Sequence, residues 1–344
     1  MSEARSAAGR IDPAPEPILE VRGISKRFVK RHDAAGRIAY RLGVGPAEET
    51  VHAVDAVDLS VMPGEVLGLV GESGCGKSTL GRMIAGVLPP TEGRILFEGR
   101  DVSGLTGSDR QEAKLAVQMI FQNPFASLNP RKRVAEIVGE APLVHGLVKR
   151  GELADYVDET LTKVGLDPGL KRRYPHQFSG GQRQRIGIAR ALAVQPRFLV
   201  CDEAIAALDV SIQAQVLNLF MKLRAELDLT YLFISHDLSV VAHIADRVAI
   251  MYLGRIVEQG PAEALFEAPN HPYTRALIAE VPRLDQRRRQ FEPVKGEIPS
   301  PLHPPPGCHF HPRCPHAFET CAAEAPALRS IAPGRSSACH LDTA

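Results

Sequence analysis

The stretch "GESGCGKST", residues 71–79, decides how the rest of the chain is read. It matches G-x-x-x-x-G-K-[ST]. Before it stands "GEVLGLVG" (64–71), a short run rich in Val and Leu; after it, "KSTLGRMIAGVL" (77–88) has helical spacing. Strand, glycine loop and helix form the context this pattern needs in order to hold phosphate. Gly71, Gly74 and Gly76 let the backbone wrap closely round an anion at the positive end of the helix. Ser73, Cys75 and Thr79 complete the grip, with the Cys75 thiol expected to point aside. Lys77 reaches the β- and γ-phosphates of a nucleotide, and the Ser78 hydroxyl can bind Mg2+. The plainer reading, a glycine-rich turn with an exposed lysine, fits this context poorly.

Further strand-like runs follow at "RFLVCD" (197–202), "TYLFISHD" (230–237) and "RVAIMYLG" (247–254), with a helical pattern at "SIQAQVLNLFMKLRAEL" (211–227). Alternation of strand and helix predicts an α/β fold, a mostly parallel sheet with helices on both faces. "ILEVRGISKRF" (18–28) alternates apolar and polar residues and reads as an edge strand. Residues 29–50 read as a loop or hairpin insertion, and 130–175 as a small helical layer, taken with its flanks as about 123–178. The α/β body spans 18–265. From 266 the chain changes character: "PSPLHPPPGCHFHPRCP" (299–315) is too rich in proline for a helix or sheet interior, so 266–344 reads as an appended Cys/Pro-rich extension. The start, 1–17, reads as a polar leader, and "RRR" (287–289) as a solvated face.

The 344 residues carry a net charge of +1, are 44% hydrophobic, and suit a globular protein rather than one that coats nucleic acid. No window holds the roughly 18 apolar residues of a membrane helix.

"FLVCDE" (198–203) ends an apolar run in two carboxylates, which places them at the carboxyl edge of the sheet beside the glycine loop. Asp202 can then hold Mg2+, and Glu203 stands where an attacking water needs a general base. Cys201 reads as a small buried hydrophobe. His236 follows another apolar strand and reads as catalytic, although a lone histidine is often structural. Gln122, in "MIFQNP", needs no special reason on composition alone. Phe28 is open to two readings: a stacking surface for adenine, or a core residue. A second phosphate grip, "FSGGQRQR" (178–185), raises the question of why one chain should carry two.

Taken together, "GESGCGKST", "FQ" (121–122), "FSGGQ" (178–182), "FLVCDE", "ALD" (207–209) and "SH" (235–236) closely resemble an ABC-transporter ATP-binding subunit. The resemblance implies that Ser179, Gly180, Gly181 and Gln182 close over ATP held by a second chain, so the two grips serve two nucleotides. It implies Mg2+ bound through Ser78, Gln122 and Asp202, catalysis by Glu203, His236 and Gln122, and a dimer contact at Asp209. "QNPFASLNPR" (122–131), "YPHQFSGGQRQRIGIARAL" (174–192), "HPYTRAL" (271–277) and "PPGCHFHPRCP" (305–315) narrow the likeness to oligopeptide and dipeptide importers, on the F-type side. That likeness implies a second ATPase as heterodimer partner, two permease subunits, an extracytoplasmic peptide-binding protein, no nucleic acid, and a place at the cytoplasmic face of the membrane. Uptake of another small solute such as nickel, and a non-transport or redox-regulated ATPase, are the alternative expectations. One departure stands out: "DEAIAALD" has Ala204 and Ala206 where the family usually has proline and serine.

Four cysteines, Cys308, Cys314, Cys321 and Cys339, crowd the tail with gaps of five, six and seventeen residues, which fit neither close-paired zinc sites nor ferredoxin runs. Reduced thiols in a small core remain a fair reading. Since a proline-rich segment gains from a metal staple, and the resemblance to importer ATPases implies similar cysteines that bind a four-iron cluster in some members, a structural 4Fe–4S cluster on these four is expected, with Zn2+ next and His309, His311 and His316 as substitutes.

Overall fold

The computed structural model describes residues 16–30, 49–280 and 296–341. Most of the expected leader, residues 31–48 of the expected insertion at 29–50 and the arginine run 287–289 lie outside the described residues; the ends of that insertion, 29–30 and 49–50, belong to strands rather than to a loop.

The chain opens with strands β1 (Leu19–Lys30), β2 (Glu49–Val61) and β3 (Val66–Val70), followed by helix α1 (Lys77–Ile84). Strands β4 (Glu92–Phe97) and β5 (Arg100–Asp101), helix α2 (Gly107–Ala116) and strand β6 (Val117–Ile120) come next. Helices α3 (Val134–Val144) and α4 (Leu153–Lys163) form the helical layer, and α5 (Gly180–Leu192) leads back to β7 (Phe198–Asp202). The alternation continues through α6 (Val210–Leu227), β8 (Thr230–Ser235), α7 (Leu238–Ile244), β9 (Arg247–Tyr252) and β10 (Arg255–Pro261). The extension contributes α8 (Pro272–Ala279) and the hairpin β11 (Arg329–Ala332) with β12 (Arg335–Ser337).

The large sheet runs β11-β12-β10-β9-β3-β8-β7-β6. Its members β9, β3, β8, β7 and β6 are parallel, and β10, β12 and β11 join antiparallel. Every residue of β3, β7 and β8 is buried, as expected of parallel strands covered on both faces. Side chains alternate between those faces. Val66 and Val70 join a core with the helical layer and α5 to α7, while Leu67 and Leu69 join a second core with α1, β1, β2 and β4. Residues Leu253 and Gly254, with φ of 40° and 82°, turn β9 back into β10 as a two-residue hairpin.

Strand β1 is not an edge strand. It lies between β2 and β4 in a second, four-stranded antiparallel sheet. Its alternating pattern reports one solvated face, which an inner antiparallel strand shows as readily as an edge does.

The extension packs into the body rather than beside it. Tyr273, Leu277, Ile278 and Phe310 belong to the first core, and β12 pairs with β10. Glu258 on β10 is fully buried; its carboxylate accepts the N–H groups of Asn270 (2.8 Å) and His271 (2.9 Å), and Arg335 lies 3.4 Å away. The His271 ring caps α8 by accepting the Tyr273 N–H at 3.1 Å. Burial lowers its pKa from 6.5 to about 3. The unfolded ring takes up a proton near pH 6.5 and the folded one only near 3, so this contribution to stability is intact above about 6.5 and is lost as pH falls toward 3. In His271→Asn, which keeps a capping acceptor, the acid limb of the stability curve should be shallower by up to roughly 1.4 kcal/mol per pH unit, as read by denaturant unfolding; an unchanged limb would remove His271 as its source.

Candidate active site

The glycine loop is fixed by close backbone approach. A Cβ on Gly71 would lie 2.1 Å from the Met251 carbonyl oxygen, and one on Gly76 (φ 110°) 2.2 Å from that of Ala53. Gly76 caps α1, and Ser73 and Gly74 are exposed at the tip, with Thr79 partly so. The Cys75 thiol points inward, near Gly71, and burial raises its pKa. Lys77 is buried and folded back on the loop, its Nζ donating to the carbonyls of Gly71 (2.7 Å) and Glu72 (2.9 Å).

Beside the loop, the Ser78 hydroxyl donates to Asp202 Oδ1 at 2.7 Å. Burial pushes the Asp202 carboxyl upward, opposed by this hydrogen bond and by the charge on Arg82. A divalent cation placed there would supply the positive charge that a buried carboxylate lacks, so the oxygen donors fit Mg2+.

The next residue, Glu203, has φ 46°, an unusual value for a side-chain-bearing residue. Its N–H donates to Ile234 O at 3.0 Å. Gln122 Nε2 donates to Glu203 Oε2 at 2.6 Å, and His236 Nδ1 stands 3.3 Å from Glu203 Oε1. Two side chains, from the ends of β6 and β8, thus converge on the carboxylate at the end of β7. A cavity beside them is lined by Arg82, Phe121, Gln122, Asn123 and Asp202.

Phe28 is not a core residue. It is 42% exposed, with the Lys26 ammonium 5.3 Å from its ring centroid. It pairs across the sheet with Val51, two residues from the Ala53 carbonyl that meets Gly76.

The second grip has other neighbours. Ser179 caps α5, accepting the Gln182 N–H at 3.4 Å, while Gln182 Oε1 accepts the Ser179 N–H at 3.1 Å. A Cβ on Gly180 would touch Leu208, and one on Gly181 would lie 2.5 Å from Ile212. The grip therefore sits against the loop and helix that follow the paired carboxylates. Asp209 lies in that loop, exposed, beside Val210, which is 82% exposed.

Sequence reasoning missed a contact made on the loop itself. Glu72, an unconstrained position in the pattern, is held by Arg313, whose Nη1 and Nη2 lie 2.8 and 3.0 Å from its carboxylate oxygens. Its N–H donates to the Tyr273 hydroxyl at 2.9 Å. A separation of 241 residues leaves no local pattern by which Arg313 could be found.

Cys308, Cys314, Cys321 and Cys339 line one small cavity with His271, His311, His316 and His340. All four are free thiols, and among the described residues no group of three or more His, Cys, Asp or Glu forms a metal site. His309 is not in this cavity: its Nδ1 lies 3.1 Å from Leu253 O, and it lines a different one.

Residues 54–206 match the ABC transporter family and 257–321 the C-terminal region of oligopeptide/dipeptide transporters. The oligopeptide transport ATP-binding protein AppF of Bacillus subtilis (strain 168) is 49% identical over 95% of this chain and 98% of its own. The chain belongs to the ABC transporter ATP-binding subunits. A probable peptide ABC transporter ATP-binding protein, y4tS of Sinorhizobium fredii, is 51% identical over 85% of this chain and 83% of its own. The ATP-binding cassette MJ0796, solved as a dimer in a post-hydrolysis state with ADP and Pi, superposes with TM-score 0.60 and 25% identity over 71% of this chain and 98% of that one. The protein is thus an ABC-type ATPase.

In this ATPase, Glu203→Gln should retain MgATP binding while steady-state phosphate release falls about 100-fold or more, the scale of a lost general base. Undiminished turnover would remove Glu203 from that role.

Proposed function

We propose that this ATPase powers import of di- or oligopeptides through a membrane permease, as one half of an ATPase dimer completed by a second, related subunit. The single observation that supports peptide import most is the match of 257–321 to the C-terminal region of oligopeptide/dipeptide transporters, joined in one chain to the ATPase body. Among the described residues no helix is long and apolar enough to cross a membrane, which agrees with attachment through a permease.

In this reading the loop at 71–79 wraps the phosphates and Lys77 leaves the Gly71 and Glu72 carbonyls to meet them. Ser78, Asp202 and Gln122 would hold Mg2+, which would neutralise phosphate charge as it develops. Glu203 accepts a proton from the attacking water, with Gln122 and His236 fixing its two carboxylate oxygens. Phe28 offers its exposed ring to adenine. Ser179, Gly180, Gly181 and Gln182 close over the nucleotide of the partner, and Asp209 meets the partner's loop. Closure then passes through the Gln122 loop and the helical layer to the permease, a two-state element biased by ligand.

The cysteine cavity belongs to the same proposal. Four thiols on one small cavity supply the donor count for a 4Fe–4S cluster, with zinc as the other candidate. Protein prepared without oxygen should carry about four iron and four sulfide per chain, and any single Cys→Ser variant in the cavity should lose them; one zinc per chain would select the alternative, and metal-free protein would sink both.

To test transport, tagged Glu203→Gln is purified from detergent-solubilised membranes with ATP present. Recovery of two multispan permeases and a second ATPase is expected. Recovery of ribosomes, of DNA-repair proteins or of this chain alone would overturn it.

A further inference from the structure

The Arg313 fork on Glu72 lies outside every role assigned above. Its guanidinium is buried, with only 5% of the side chain exposed, and Glu72 is 22% exposed, so the pair is largely withdrawn from water. Breaking a pair of this kind leaves a poorly solvated charge on the phosphate loop. Glu72 is held at two points. Arg313 takes its carboxylate, and the Tyr273 hydroxyl takes its N–H. Because the peptide unit is planar, the anchored Glu72 N–H also orients the Gly71 carbonyl, one of the two oxygens that hold Lys77.

Both anchors come from the C-terminal extension and stand on one aromatic cluster. Tyr273 and Phe310 have ring centroids 5.4 Å apart, Tyr252 and Tyr273 4.7 Å, and the Arg313 guanidinium carbon lies 5.9 Å from the Tyr252 ring centroid. Phe310 also lines the cysteine cavity. Packed side chains therefore connect that cavity to the loop without a gap.

We propose that Arg313 is a positioning residue for nucleotide binding: through Glu72, with Tyr273 as the second anchor, the extension holds the phosphate loop in its binding conformation and sets the affinity for MgATP. The inference rests on the loop at 71–79 being the ATP site, as read above.

The test is a titration of the full chain with a fluorescent ATP analogue and Mg2+, in wild type, Arg313→Ala, Glu72→Gln and the double variant, with phosphate release measured at saturating ATP. Arg313→Ala should weaken binding about tenfold, within the range usual for coupled sites, and leave turnover at saturation near the wild-type value. The double variant should lose far less beyond Glu72→Gln than Arg313→Ala loses in wild type, because the uncharged amide can meet only one arm of the fork. Arg313→Lys should recover only part of the loss, since an ammonium cannot form the fork. Tyr273→Phe, which keeps the ring stack and removes the acceptor, guards against a folding defect and should weaken binding severalfold. Equal affinities in all variants, or an Arg313→Ala loss that persists undiminished in the Glu72→Gln background, would overturn the proposal. A wild-type chain that fails to bind the analogue would instead overturn the reading of the loop as the ATP site.

Discussion

Between Gly71 and Gly76 the backbone runs so close to the carbonyls of Met251 and Ala53 that neither position has room for a side chain. This squeeze sets the geometry of everything nearby. It ties the loop to β9 on one side and β2 on the other, so the four-stranded sheet and the large sheet meet at the phosphate loop. Lys77 and Ser78 begin the helix that follows, and the parallel register of β3 with β8, and of β8 with β7, then fixes where Asp202, Glu203 and His236 emerge. The site is a product of strand order before it is a product of side chains.

Around this centre, buried charge is handled by pairing. Asp202 is matched by the Ser78 hydroxyl, Glu258 by two backbone N–H groups and Arg335, and Glu72 by Arg313. An unpaired carboxylate at any of these places would be costly to bury. Two of the three pairings draw on the extension, which explains why a segment rich in proline can be an integral part of the fold: it contributes partners and aromatic surface where its own core is small.

Much of this was legible in the sequence. The apolar runs feeding the glycine loop and the Asp202–Glu203 pair were readable because parallel strands buried on both faces cannot carry polar interruptions, and the helical layer because its apolar residues repeat every three or four positions. The place of β1 was not legible, since one-sided alternation does not say how many neighbours a strand has. Phe28 was equally ambiguous: a phenylalanine on a strand reads the same inside or out. The Arg313–Glu72 fork was invisible for a different reason. Its partners are far apart in the chain, each looks ordinary where it stands, and only the folded extension brings them together. His309 shows the converse, since it sits among cysteines in the sequence yet turns to another cavity in space.

Glu203 brings these points together. A left-handed backbone at a residue with a side chain costs about 1–3 kcal/mol and persists only where the surroundings enforce it. The family usually follows this glutamate with proline, whose ring would limit the backbone; here Ala204 stands in its place. Rigidity must come from elsewhere. Hydrogen bonds supply it on both sides: Glu203 N–H to Ile234 O at 3.0 Å, and Ala206 N–H to Glu203 O at 3.1 Å. Gln122 and His236 hold the carboxylate. Ala204 itself is buried and so has little freedom to move, whereas Ala206 faces solvent and presents no hydroxyl there. The conformation of the carboxylate is thus secured from within the chain, and what Ala206 alters is the outer surface of the loop that leads to Asp209 and the exposed Val210.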